Sequence, residues 1–143
     1  MAPKRSGDAG ALPASVEPSA SQDSPAAPLY AALDLGTNSC RMLVARPSGD
    51  GFEVVDSFSK AVQLGQGLEI TGRLSRSSMG KTVQAMRICK QKLKKHNVGR
   101  MRLVATEACR RAKNARDFVR FVQRETGLAL EIIAPKDEAR YAV

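Results

Sequence analysis

Short apolar runs come first along this chain, and apolar positions at helical spacing follow. Within Tyr30–Arg46, two runs of strand length flank Asp34-Leu35-Gly36-Thr37-Asn38-Ser39, whose centre breaks any helical pattern. They predict two antiparallel strands with Asp34 at the end of the first. Gly51–Phe58 alternates well enough for a third strand after a turn at Pro47–Gly51, and Lys60–Leu64 extends or follows it. Gly65-Gln66-Gly67 then breaks the pattern; it carries a weak phosphate-loop signal and reads as a flexible connector.

Helical spacing begins at Ser75, a suitable N-cap for a helix with Met79, Val83, Met86, Cys89 and Leu93 on one face. The methionines read as core filler. Lys81, Arg87, Lys92 and Lys95 occupy the opposite face, and the helix should stop near Asn97-Val98-Gly99. Arg102–Ala105 predicts a buried strand ending at Thr106-Glu107, followed by a short cationic helix or turn over Ala108–Lys113. Asn114 is placed to cap a second helix with Ala115, Phe118, Val119 and Val122 inward and Gly127 as its stop. Leu128–Ile133 predicts another strand, and Pro135 suits the first turn of a last helix. Strands alternating with helices in the second half imply parallel pairing, so the fold class is α/β.

Composition changes this picture in three places. The first 29 residues are rich in Ala, Pro and Ser and predict a disordered tail, leaving residues 30–143 as the one domain. Lys4 and Arg5 precede no apolar core, so the tail is not a signal peptide; nor does any segment approach a membrane span of roughly 20 apolar residues. A cytoplasmic protein is expected. Cys40, Cys89 and Cys109 lack paired metal spacing and read as reduced, buried thiols. His96 is the single histidine, so a His-based metal site or a Ser-His-Asp triad within this chain is excluded; a solvated cap role is expected for it.

Charge is the third. The tail holds two bases and three acids, so residues 30–143 carry 21 Lys and Arg against 11 Asp and Glu. Between Lys81 and Arg124 the ratio is fourteen to two. Such an imbalance favours a polyanionic partner over a merely solvated face. With four Phe and two Tyr for base stacking, specific nucleic-acid binding is not expected, and a phosphate chain suits the composition better.

The chemistry concentrates in Asp34–Ser39. Glycine admits a ligand close to the backbone, and successive turn N–H groups form a concave anion nest. Thr37, Asn38 and Ser39 add side-chain donors. A carboxylate beside such a nest repels a bare phosphate unless a metal ion lies between them. Two readings stand at this point: a metal-assisted phosphate loop, or a plain hairpin with a polar turn. Aspartic-protease and phosphoaspartate patterns fit badly, because Leu35 separates Asp34 from Gly36 and Gly36 stands where a second Asp is needed. In α/β sheets ligands collect beyond the carboxyl ends of the strands. Asp34, Thr106–Arg111 and the Glu138 segment all follow strand ends, so the fold should bring them together.

Ala32-Leu-Asp-Leu-Gly-Thr-Asn-Ser39, Val104-Ala-Thr106 with Arg110, Asn114, and Glu131-Ile-Ile133 followed by Glu138-Ala-Arg140 resemble the N-terminal part of the Ppx/GppA phosphatases. These are exopolyphosphatases and guanosine pentaphosphate phosphatases of the actin-like ATPase superfamily. The resemblance implies a ribonuclease-H-like domain, a mixed sheet of about five strands with helices packed on it. It implies that Asp34 holds a divalent cation, most naturally Mg2+, directly or through water. Gly36, Thr37, Asn38, Ser39 and Thr106 would bind phosphate. Arg110 would clamp phosphate oxygens, with Arg111 a close rival, and Glu138 would orient and deprotonate the attacking water. Implied partners are inorganic polyphosphate or guanosine pentaphosphate, with no membrane, and a full-length protein has room to form a homodimer. Cys40 departs from the family's large apolar residue, and Arg76, Ser77 and Ser78 replace an acidic helix start. The family also has a second phosphate loop and a second domain, so this chain reads as a fragment that binds an anion but should hardly turn over alone. The rivals are a non-catalytic polyanion-binding module and a sugar kinase or chaperone-like ATPase of the same superfamily.

Overall fold

The computed structural model describes residues 28–137. Residues 1–27 of the expected tail and the whole Glu138–Val143 segment lie outside them. Three strands open the fold: β1 (Tyr30–Leu35), β2 (Ser39–Ser48) and β3 (Gly51–Ala61). A four-residue helix α1 (Leu68–Thr71) and the long α2 (Arg76–Lys95) follow, then β4 (Arg100–Ala105). The second half continues with α3 (Glu107–Arg111), α4 (Ala115–Thr126) and β5 (Glu131–Ile132). Residues 135–137 begin a further helical turn.

The strands lie in the order β3-β2-β1-β4-β5. The first three form antiparallel pairs, while β1 pairs parallel with β4 and β4 with β5. This is the mixed ribonuclease-H-like sheet. Strict alternation along β1 buries Ala31, Leu33 and Leu35 and turns Tyr30, Ala32 and Asp34 outward. On β2, Cys40, Met42 and Val44 point the same way as the buried set. Val83, Met86, Cys89 and Leu93 of α2 and Phe118 and Val122 of α4 close over that face. The other face is not covered by any helix among the described residues.

Local signals explain most boundaries. Ser75 Oγ accepts a hydrogen bond from Ser78 N–H at 3.0 Å, capping α2. Gly127 takes φ 76° to end α4, a conformation that costs an L side chain but not glycine.

Four expectations need correction. Gly65-Gln66-Gly67 is not a loose connector, because Gly65 N–H donates to Thr37 O at 3.0 Å and Leu68 N–H to Gly65 O at 3.0 Å. Asn114 stands at the N-cap of α4 without capping it. Its side chain instead reaches across the fold, accepting from Leu74 N–H at 2.8 Å and donating to Leu74 O at 3.0 Å. His96 ends α2 but is not a solvated cap, since its Nε2 lies 2.9 Å from Asp56 Oδ2. The strand expected over Leu128–Ile133 shrinks to Glu131–Ile132 because Leu128 and Leu130 are buried in the core instead of extending the ladder.

Candidate functional site

The carboxyl edge of the parallel strands is built by turns that the ladder itself positions. Gly36 N–H donates to Ser39 O at 3.0 Å, closing the tight turn between β1 and β2. The carbonyls of that turn face inward. Thr37 O accepts from Gly65 N–H, and Asn38 O accepts from both Val62 and Gln63 N–H at 2.9 Å. With the carbonyls held this way, the Thr37 and Asn38 N–H groups donate to no protein acceptor among the described residues. Donors left open at an exposed turn are what an anion nest requires.

Thr106 lies beside this turn. Its N–H extends the β1–β4 ladder to Leu35 O at 3.1 Å, and its hydroxyl donates to the same carbonyl at 3.4 Å. A methyl built on Gly36 would lie 3.9 Å from Thr106 Oγ1, so the two residues are near neighbours. Arg110 follows one turn along α3, its N–H donating to Thr106 O at 3.0 Å. Its guanidinium Nη1 donates to Ile133 O at 2.7 Å, which holds the planar cation between α3 and the end of β5. Arg111 instead turns to the surface and pairs with Glu107 at 3.4 Å. Of the two rival arginines, Arg110 is the one at the sheet edge.

Asp34 projects from the open face of the sheet, one residue before the end of β1. Its strand neighbours in register are Arg41 on β2 and Val104 on β4. The Arg41 neighbour escaped the reading of the sequence, although it follows from the hairpin: once Leu35 pairs with Cys40, position 34 must face position 41. Thus Asp34, Gly36–Ser39, Thr106 and Arg110 share one edge of the sheet, while Glu138 lies outside the described residues.

A hard cation would find, among the described residues, one candidate carboxylate at this edge rather than a cage. Among the described residues there is no cluster of three or more His, Cys, Asp or Glu side chains. The donor set nonetheless fits Mg2+, which keeps several waters and is commonly held by one or two carboxylates together with substrate phosphate oxygens. Cys40 and Cys109 offer nothing to this chemistry. The Cys40 thiol is pushed up by its hydrogen bond to Cys89 and by burial, the same hydrogen bond draws Cys89 down, and burial pushes Cys109 up to about 12. Protonated core thiols are neither nucleophiles nor metal ligands.

The basic face of α2 is less available than its residue count suggests. Arg87 is paired with Glu125 at 2.6 Å, and Lys92 with Asp56 at 3.2 Å. Lys81 and Lys95 remain exposed. A groove of about 760 Å³ lies at the amino end of β4 and is lined by Lys90, Leu93, Lys94, Met101, Arg102 and Leu128. None of the candidate site residues lines it.

The sheet order defines a ribonuclease-H-like domain with backbone and hydroxyl donors gathered along its carboxyl edge. Residues 43–143 match the profile of the Ppx/GppA phosphatase family, and the chain belongs to that family. Asp34 and the Gly36–Ser39 turn lie ahead of the matched stretch. Among solved structures, the Ppx/GppA family member of Aquifex aeolicus is 36% identical with a TM-score of 0.77, covering 80% of this chain and 38% of its own. An exopolyphosphatase-like protein is 31% identical with a TM-score of 0.73, over 78% of this chain and 34% of its own. An exopolyphosphatase from Cytophaga hutchinsonii, 22% identical with a TM-score of 0.74 over 78% of this chain and 36% of its own, shares the fold. The chain therefore spans well under half the length of these relatives.

Proposed function

We propose that this chain contributes one wall of a metal-assisted phosphoanhydride hydrolase site that releases terminal orthophosphate from inorganic polyphosphate. The observation that supports it is the turn at Thr37 and Asn38, whose carbonyls are tied inward and whose N–H groups stay open on the same sheet edge as Asp34, Thr106 and Arg110. In this reading the open N–H groups and the Thr37 and Ser39 hydroxyls hold the oxygens of the terminal phosphate. Arg110, its plane fixed by Ile133 O, offers its forked donors to charge that builds on the leaving oxygen. Glu138 takes a proton from water as the water oxygen bonds to the terminal phosphorus. The bridging P–O bond breaks, its electron pair stays with the shortened chain, and orthophosphate departs. A divalent cation bound at Asp34 would neutralise phosphate charge. The same site could remove the terminal phosphate of guanosine pentaphosphate, which stands as the alternative substrate.

A second reading, a polyanion-binding module without turnover, draws on the 38% span of the Aquifex aeolicus relative. Single-turnover release of orthophosphate from inorganic polyphosphate with Mg2+ separates the two. Release that Glu138→Gln abolishes supports the hydrolase. Binding without release supports the module, and no binding at all sinks both.

A further inference from the structure

Gly65 stands directly under the candidate phosphate turn, and it is glycine for a reason of space. Its φ is not among the positive values in the described chain, so its backbone suits any L residue. A methyl built there, however, would run into the Thr37 Cγ2 methyl well inside contact distance, with Thr37 Cβ 3.6 Å and Thr37 O 3.7 Å away. The backbone has little room to yield. Val62 and Leu64, on the same short segment, are fully buried, and Gly65 N–H is bonded to Thr37 O. Gln63 is held in a left-handed conformation at φ 51°, with its carbonyl accepting from Ser78 Oγ on α2 at 3.0 Å. The relief therefore falls on Thr37. A β-branched side chain has few χ1 wells, and swinging its methyl away swings the hydroxyl with it.

We infer that Gly65 is a positioning residue: its missing side chain sets the direction of the Thr37 hydroxyl and the lie of the Thr37–Asn38 turn. The inference deepens the phosphate reading of that turn and rests on it for its functional meaning. Gly36, by contrast, has only ordinary contacts where a side chain would go, so the space restriction belongs to Gly65.

The test is a double-mutant cycle in the 143-residue chain, with Mg2+ and inorganic tripolyphosphate as probe, read by calorimetry. Gly65→Ala should weaken binding by about 10-fold, an effect of the size expected for residues in direct contact. In a Thr37→Ser background, which lacks the methyl and keeps a hydroxyl, the same change should cost less than about 2-fold, because the clashing group is gone. Equal losses in both backgrounds, or none in either, overturn the inference. Without ligand, the Thr37 side-chain rotamer and the Thr37 and Asn38 amide resonances give an independent readout by NMR. Gly65→Ala should shift them, and the shift should vanish in the Ser background. If the parent binds no tripolyphosphate, the phosphate reading fails; the positioning claim then stands or falls on those resonances alone.

Discussion

The helix-covered face of the sheet and its carboxyl edge are made of opposite materials. Under α2 and α4, Leu33, Leu35, Met86, Phe118 and Val122 are fully buried, and their contribution is the removal of apolar surface from water. At the edge, Gly36, Thr37, Asn38 and Thr106 are held by backbone hydrogen bonds, with the Thr106 hydroxyl adding one to Leu35 O. One region sets whether the chain folds, and the other where donors point once it has. The difference teaches where to look for separable effects: a change at the edge can alter binding while stability stays put, and a change under the helices cannot be so selective.

The sharpest way to break that contrast is Phe118→Ala. It should destabilise the chain by about 3–5 kcal/mol, the usual range for emptying an aromatic core site, as a lowered denaturant midpoint. A loss below about 1 kcal/mol would mean that α4 does not pack as described. Next comes Asn114→Ala, which leaves the buried Leu74 N–H and carbonyl without partners. About 1–3 kcal/mol should be lost in the same measurement.

Gly36→Ala probes the edge itself. Its new methyl would meet Ser39 O at 3.8 Å and Thr106 Oγ1 at 3.9 Å, ordinary contacts that leave the unfolding curve unchanged. Tripolyphosphate binding should nevertheless weaken by about 10-fold, since a methyl there bars close approach to the turn. Unfolding and binding falling together would erase the distinction between the two regions.

A pH effect lies outside both. Asp56 is held down at about 2 by its hydrogen bond to His96, then by Lys92 and Ser57 N–H. Its folded value lies below the unfolded one of 3.8, so its stabilisation is present above about pH 4 and fades as pH falls through about 2. Asp56→Asn should flatten that part of the acid-unfolding profile. The smallest effect belongs to Phe52→Ala on the edge strand β3. That side chain is 52% exposed, and truncating it should move stability by no more than about 0.5 kcal/mol.

Much of the fold could be read from the chain because local rules suffice for it. Period-two burial in β1 and the 4-3-3-4 spacing in α2 record which face of each element meets the core, whatever covers it. Ser75 capping α2 and Gly127 ending α4 are likewise decided within a few residues. Candidate chemistry at Asp34–Ser39, Thr106 and Arg110 was visible as residue types following strand ends.

What the sequence could not settle were relations between residues distant in the chain. Composition showed a run of cations on α2, but only packing revealed that Arg87 and Lys92 are already paired with Glu125 and Asp56. Local rules made Asn114 a helix cap and Gly65 a loose linker. The folded chain turned one into a clasp on Leu74 and the other into the floor beneath Thr37. The sequence by itself determined the elements and their buried faces, because those follow from short-range periodicity. Tertiary structure alone decided which polar groups find partners, because that depends on a geometry fixed only when segments far apart in the chain come into contact.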